Sequence, residues 1–230
     1  MSVLTANKVS VFPISQREVA WKLVGGLSKP SKMPCYGYSL PATACKTGSE
    51  LRKIENSVCS KCYAHKGMYV FPNVKKALAR RLRAIRRNGW VDAMVFLLHN
   101  QKKSNHFRWH DSGDIQSISH FKKIIEVCNR TPHIQHWIPT HEHKLIKDAE
   151  KQGIKIPANL TIRLSSCMID APVRVKDLGK HCGSSTFIKV LSDTRLKVER
   201  PCTAYKRGGK CLTCRLCWDK KIKAVSYKLH

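Results

Sequence analysis

Apolar residues recur along the chain with two periods, and stretches of the two alternate. Val74, Leu78, Leu82 and Ile85 fall at helical spacing. They place one apolar stripe on a helix that begins at Pro72-Asn73, with Asn73 as N-cap, and ends at Asn88-Gly89. Val91 to Leu98 is nearly continuously apolar and predicts a second, buried helix. His106-Phe107-Arg108-Trp109-His110 then alternates as a strand and runs into Asp111-Ser112-Gly113-Asp114. Ser117 or Ser119 caps the next helix, with Ile118, Phe121, Ile125 and Cys128 inward. Ile134 to Pro139, Leu160 to Leu164 and Thr186 to Leu191 read as further strands. Thr140 caps a helix that runs through Gln152 and is closed by Gly153. Near the start, Lys8 to Phe12 alternates like a short strand stopped by Pro13.

Strand–helix repeats of this length predict an α/β protein, built as a parallel sheet or as an incomplete TIM-like barrel. The 230 residues, 42% of them apolar, suit one domain with a real core. Its organisation reads as an α/β core over 70–195, with segments 35–69 and 201–218 packed on it. Chemistry in such folds sits at the carboxyl ends of strands. His110, Asp111 and Asp114 end one strand and are the candidate catalytic groups, able to bind metal, move a proton or hold a ligand. Thr140-His141 and Ser165-Ser166 end two others.

Cysteine changes this picture. Eleven occur, an odd number that leaves one unpaired in any disulfide scheme. Cys211, Cys214 and Cys217 are spaced C-x2-C-x2-C, with Cys202 upstream. These four predict a metal centre: a four-iron, four-sulfur cluster, or zinc, which takes the same four sulfurs. Cys59-x2-Cys62 with Cys45 predicts a second site, to which Cys35 or His65 offers a fourth ligand. With three thiolates alone, a four-iron cluster keeps one iron open to a substrate or cofactor. One shared cluster drawing on both segments is the alternative to two. Cys167 and Cys182 stand in reserve.

Charge adds a partner. Forty-three Lys and Arg against fifteen Asp and Glu leave a net +28. A globular chain so basic calls for an anionic partner, and nucleic acid, DNA or RNA, fits first. Asn73 to Trp90 carries seven Lys/Arg and no acid, and Lys76, Arg80, Arg83 and Arg87 form a stripe suited to a phosphate backbone. No apolar run is long enough to span a bilayer, and the first thirty residues lack an apolar leader core. A cytoplasmic protein without a membrane partner is therefore expected.

Three motifs carry a resemblance. Ser39-Leu40-Pro41-Ala42 leads to Cys45 and Cys59-x-x-Cys62-Tyr63-Ala64; His110-Asp111-Ser112-Gly113-Asp114 follows, then Cys211-x-x-Cys214-Arg215-x-Cys217-Trp218. Over Ser39 to Trp218 this resembles the phage "gene product 88" family. Many members follow the first cysteine with Pro-Gly, where this chain has Lys46-Thr47. The resemblance implies a phage protein working in the host cytoplasm, with a host protein as a further partner. The strand-and-cysteine layout is also similar to radical-SAM-type barrels, which implies an iron–sulfur enzyme with redox or radical chemistry. S-adenosylmethionine has no motif behind it, because the close C-x3-C-x2-C spacing is absent. Two function classes follow: an iron–sulfur protein acting on nucleic acid, or a zinc-stapled protein that only binds it.

Overall fold

The computed structural model describes residues 16–102, 104–188 and 199–229. The strand expected over Lys8 to Phe12 lies outside them. Seven strands form one sheet: β1 (Gly37–Tyr38), β2 (His106–Trp109), β3 (Gln135–Thr140), β4 (Leu160–Ser165), β5 (Cys182–Phe187), β6 (Glu199–Pro201) and β7 (Ala224–Lys228). Their order is β1-β2-β3-β4-β5-β7-β6, and every neighbouring pair is parallel. The sheet thus reaches beyond residues 70–195 on both sides, with β1 at one edge and β6 and β7 at the other.

Parallel neighbours require crossovers. Helices α3 (Pro72–Ala84) and α4 (Trp90–His99) join β1 to β2, α5 (Ile118–Arg130) joins β2 to β3, and α6 (His143–Lys151) joins β3 to β4. Two more helices, α1 (Arg17–Val24) and the short α2 (Lys46–Leu51), flank β1 in sequence. The first five strands lie in chain order, a winding that places right-handed crossovers on one face. None of the helices described is long and apolar enough to cross a membrane.

Alternation divides the strand residues between the two faces. Phe107, Trp109, Ile138, Leu160, Ile162 and Leu164 join α1, α4, α5 and α6 in the main core. α4 is buried nearly all round, as its apolar run requires. The Tyr38 hydroxyl donates to the Val24 carbonyl (2.6 Å) and accepts from Trp90 Nε1 (3.0 Å), which ties α1, β1 and α4 together.

The intervening residues meet a different layer, the cysteine-rich C-terminal segment. His106 and Trp137 set their rings edge-on to Trp218 at 5.2 and 5.1 Å, and Thr161 Oγ1 donates to the Trp218 carbonyl (2.7 Å). Arg163 is fully buried. Its donors reach the carbonyls of Leu216 (2.8 Å), Cys217 (2.9 Å), Asp219 (2.9 Å), Ile222 (2.9 Å) and Gly183 (3.3 Å). All five N–H groups of the guanidinium are used, four of them on this one segment.

Helix ends differ from expectation where a neighbour claims the capping residue. Phe71 is the N-cap of α3, and Pro72 takes the first turn, where its missing N–H has no partner to lose. That helix stops at Ala84; Gly89, with φ +74°, opens α4 instead of closing α3. Ser117 caps α5 through the His120 N–H (3.1 Å), as expected. Thr140 remains in β3, and α6 starts at His143. The strand expected over Thr186 to Leu191 begins earlier, at Cys182, and is described to Phe187; positions 189–191 lie outside the described residues.

Two core histidines make the fold acid-sensitive. Burial holds His120 and His136 at about 3, with Lys123 and His133 adding to the respective shifts. Each is neutral when folded but regains its ordinary pKa of 6.5 when unfolded. Their contribution is complete above pH 6.5 and is lost as pH falls toward 3. Together they should remove about 3 kcal/mol per pH unit across that window. Urea midpoints measured from pH 7 to 4.5 should fall accordingly; constant midpoints would contradict their buried neutrality.

Candidate functional site

Because all strands are parallel, their carboxyl ends share one edge, and the loop after β1 folds over it. The anchor is a clamp between strand ends. The Leu40 N–H donates to the Ser112 carbonyl (2.9 Å), and Ser112 Oγ donates back to the Leu40 carbonyl (2.7 Å). Gly113 permits this approach: its φ is +75°, and a Cβ there would lie 2.5 Å from Leu40 Cβ and 2.8 Å from Leu40 O. Gly113→Ala should therefore destabilise by about 3 kcal/mol, combining backbone strain with overpacking. Thermal melting checks this, and an unchanged midpoint would contradict the clamp.

Beyond the clamp the loop gathers three cysteines. Cys45 precedes α2, and Cys59 and Cys62 bracket a 3₁₀ turn. A Cβ on Gly48 would sit 3.6 Å from Cys59 Sγ and 3.7 Å from Cys45 Sγ, so both sulfurs border one small space. Burial pushes the Cys45 thiol up, with Asp114, Cys62, Cys59 and Glu142 acting the same way. Burial raises Cys59 to about 12, assisted by Cys62, Asp114 and Cys167. Cys167 follows β4, and its carbonyl accepts from the Val58 N–H (2.9 Å). Glu142, at the end of β3, accepts from the Thr47 N–H (3.0 Å) and Thr47 Oγ1 (2.8 Å), fixing the first turn of α2 against the sheet.

The loop after β2 supplies the polar groups. Asp114 is buried and accepts from Thr140 Oγ1 (2.7 Å), the Ile115 N–H (2.8 Å) and the His141 N–H (2.9 Å). Burial nonetheless raises it to about 7, with Glu142 contributing in the same direction. Asp111 Oδ2 accepts from the Tyr69 hydroxyl (2.8 Å), and the Tyr63 hydroxyl donates to the Asp111 carbonyl. Oδ1 of Asp111 is buried with no partner among the described residues. Arg108 lies beside Tyr63; burial opposes its charge, but Tyr63 and Asp111 outweigh that and hold its pKa up. His110 differs from the two aspartates. Its φ is +54°, its ring packs 5.6 Å from His120 of α5, and neither ring nitrogen has a partner among the described residues. Burial, with His120 and Arg108 nearby, keeps it well below the ordinary histidine range.

A second cysteine group lies under the C-terminal segment. Cys211 neighbours Cys202 and Cys214, and Cys217 neighbours Cys202. Cys35 joins this group and not the first: it is buried with Cys217, Trp137 and Trp218 and lies beside Cys211. Burial pushes both Cys35 and Cys217 up to about 12. His65, the other fourth ligand considered for the first group, has its Nδ1 3.0 Å from Arg52 Nη1. The thiols that act on one another stay within each group, so the two gather separately. Among the described residues, no three His, Cys, Asp or Glu side chains converge on a single ion-sized point.

The family model for Gene product 88 matches residues 15–220. The chain belongs to the phage Gene product 88 family. No curated protein and no solved structure matches it. The part of this Gene product 88 protein that matches includes both cysteine groups and the loop after β2, and stops before β7.

In this Gene product 88 protein two members of the expected basic stripe also bond α1. Arg80 Nε donates to the Gly25 carbonyl (3.1 Å), and Arg87 Nη1 reaches the Lys22 (2.9 Å) and Leu23 (3.1 Å) carbonyls. Both cap the C-terminal end of α1. All four residues of the stripe, Lys76, Arg80, Arg83 and Arg87, are exposed. Sequence reasoning missed Tyr69, Arg108 and Glu142 at the mouth, and met Tyr63 only as part of a family motif. Only Arg108 carried a signal, as a charge at an alternate position of an apolar strand.

Proposed function

We propose that the protein is an iron–sulfur enzyme with an incomplete-barrel architecture that acts on nucleic acid. In this reading Cys45, Cys59 and Cys62 hold a four-iron cluster at the mouth, and Cys202, Cys211, Cys214 and Cys217 hold a second centre. The observation that carries it is three thiols gathered in the loop after β1, at the edge where parallel α/β folds keep their chemistry. The donor set suits the group: thiolates are the ligands iron–sulfur clusters take. Two of the sulfurs also border one space kept open by a glycine. The in-order winding of β1 to β5 supports the barrel-like curvature.

A cluster held by three thiolates would supply one-electron chemistry and one iron open to an outside ligand. The chain's own groups set the surroundings. Asp111 Oδ1 is free to accept a hydrogen bond from a substrate, while Tyr69 fixes the other oxygen. Asp114, at about 7, is placed to hold or release a proton. Arg108 and Arg81 set positive charge behind Asp111, and Arg81 is fixed by its bond to the Ser39 carbonyl (2.8 Å). The net +28 supports nucleic acid as the substrate or partner.

The test is electron paramagnetic resonance of dithionite-reduced protein. Added cyanide should change the signal of the mouth centre and leave the C-terminal centre unaltered, and Cys59→Ser should remove the responsive signal. A spectrum indifferent to cyanide would contradict an open iron. A second reading makes the C-terminal centre a zinc staple in a protein that only binds nucleic acid. It is favoured by the four Arg163 bonds that hold that segment as a structural layer.

A further inference from the structure

We infer that Met68, Val70 and Phe71 form a base-stacking platform at the rim of the mouth, and that the nucleic acid recognised there is single-stranded. The inference rests on the nucleic-acid part of the proposed function. These three side chains are 65, 40 and 48% exposed, an unusual concentration of bare apolar surface in one short segment. Tyr69, between them, turns inward: its hydroxyl is on Asp111 Oδ2 and its ring lies 5.7 Å from Tyr63. The platform and the mouth are thus opposite sides of one 3₁₀ turn, Gly67–Val70.

Charge identifies the occupant. From Asn56 to Val91 the chain holds nine Lys/Arg and no Asp or Glu. Lys61, Lys66, Lys75 and Lys76 flank the platform in sequence and are exposed. The Lys75 N–H donates to the Phe71 carbonyl (2.9 Å), so the basic helix α3 begins where the platform ends. Apolar side chains flanked along the chain by cations suit a polyanion that also presents flat apolar rings. A single strand offers its bases; a duplex keeps them stacked inside. Aromatic platforms beside a positive track are how sequence-tolerant single-strand binding is built.

Fluorescence anisotropy on the full chain tests this. The probes are labelled oligothymidylate, the same strand paired with oligoadenylate, and phosphatidylserine vesicles. The wild-type chain should bind the single strand more tightly than the duplex. Phe71→Ala and Met68→Ala should each weaken single-strand binding about tenfold and leave duplex binding and the salt slope unchanged. Lys75→Gln with Lys76→Gln should flatten the salt slope for both nucleic acids. Thermal melting confirms that each variant is folded; Met68, the more exposed, serves if Phe71→Ala unfolds. Unchanged single-strand affinity in both alanine variants would overturn the platform and leave nucleic-acid binding standing. Binding to vesicles alone, or to neither nucleic acid, would overturn both.

Discussion

Arg163→Met should release the C-terminal cysteine segment and lower stability by about 4 kcal/mol. Two effects oppose each other. Methionine removes a buried charge that has no carboxylate partner among the described hydrogen bonds, which by itself would help. It also takes donors from five carbonyls, and a buried carbonyl left unpaired costs about 1–3 kcal/mol. Three of the five keep a backbone donor: Leu216 O accepts from the Asp219 N–H at 3.3 Å, Asp219 O from the Ile222 N–H at 3.2 Å, and Gly183 stays paired in the β5–β7 ladder. The remaining losses exceed the gain from discarding the charge. A drop of this size is a large share of an ordinary domain's stability. Urea unfolding and metal content should fall together. Arg163→Lys should recover only part of the loss, since three donors on a flexible stem cannot reach five carbonyls. A wild-type midpoint in Arg163→Met would show that the segment is held by other contacts.

The second large effect separates the two cysteine groups. Cys211→Ser should lose metal and soluble protein together. Its group lies beneath Trp218 against Trp137 and packs directly on the sheet. A structural metal contributes its binding energy directly to folding. Cys45→Ser with Cys59→Ser should instead leave a folded, soluble protein with roughly half the metal, because only one of two Cys-ligated centres is removed. The mouth cysteines are half-buried, and Thr47 stays fixed to Glu142 whatever the thiols do. Iron content, solubility and melting temperature read both variants. Soluble Cys211→Ser with full metal, or insoluble Cys45→Ser/Cys59→Ser with intact metal, would invert the assignment.

The helix and strand positions were largely legible because each apolar face meets one core. Leu160, Ile162 and Leu164 alternate, and β4 lies there. Thr161 and Arg163, the polar alternates of the same strand, are buried as well. Nothing local in β4 reveals that a segment some fifty residues later covers it; that is a consequence of tertiary order. Cys35 was misplaced for a related reason. It is nearer to Cys45 in sequence, but the short β1 carries the chain across the sheet edge, and Cys35 remains beside Cys211. Arg80 and Arg87, read as part of a basic helix stripe, stay exposed and also bond the α1 carbonyls, a partner with no signal in the local pattern. At the mouth, Asp111 and Asp114 were visible from their strand-end position, while Tyr69 and Glu142 arrive from other loops and had no signature of their own.

On the proposed function, both cysteine groups hold iron–sulfur clusters. Iron, acid-labile sulfide and zinc measured together on protein purified without oxygen test it most directly. The protein should be brown with matched iron and sulfide, roughly eight of each per chain for two four-iron clusters. Colourless protein carrying stoichiometric zinc and no sulfide would contradict it and leave a metal-stapled nucleic-acid-binding protein in its place.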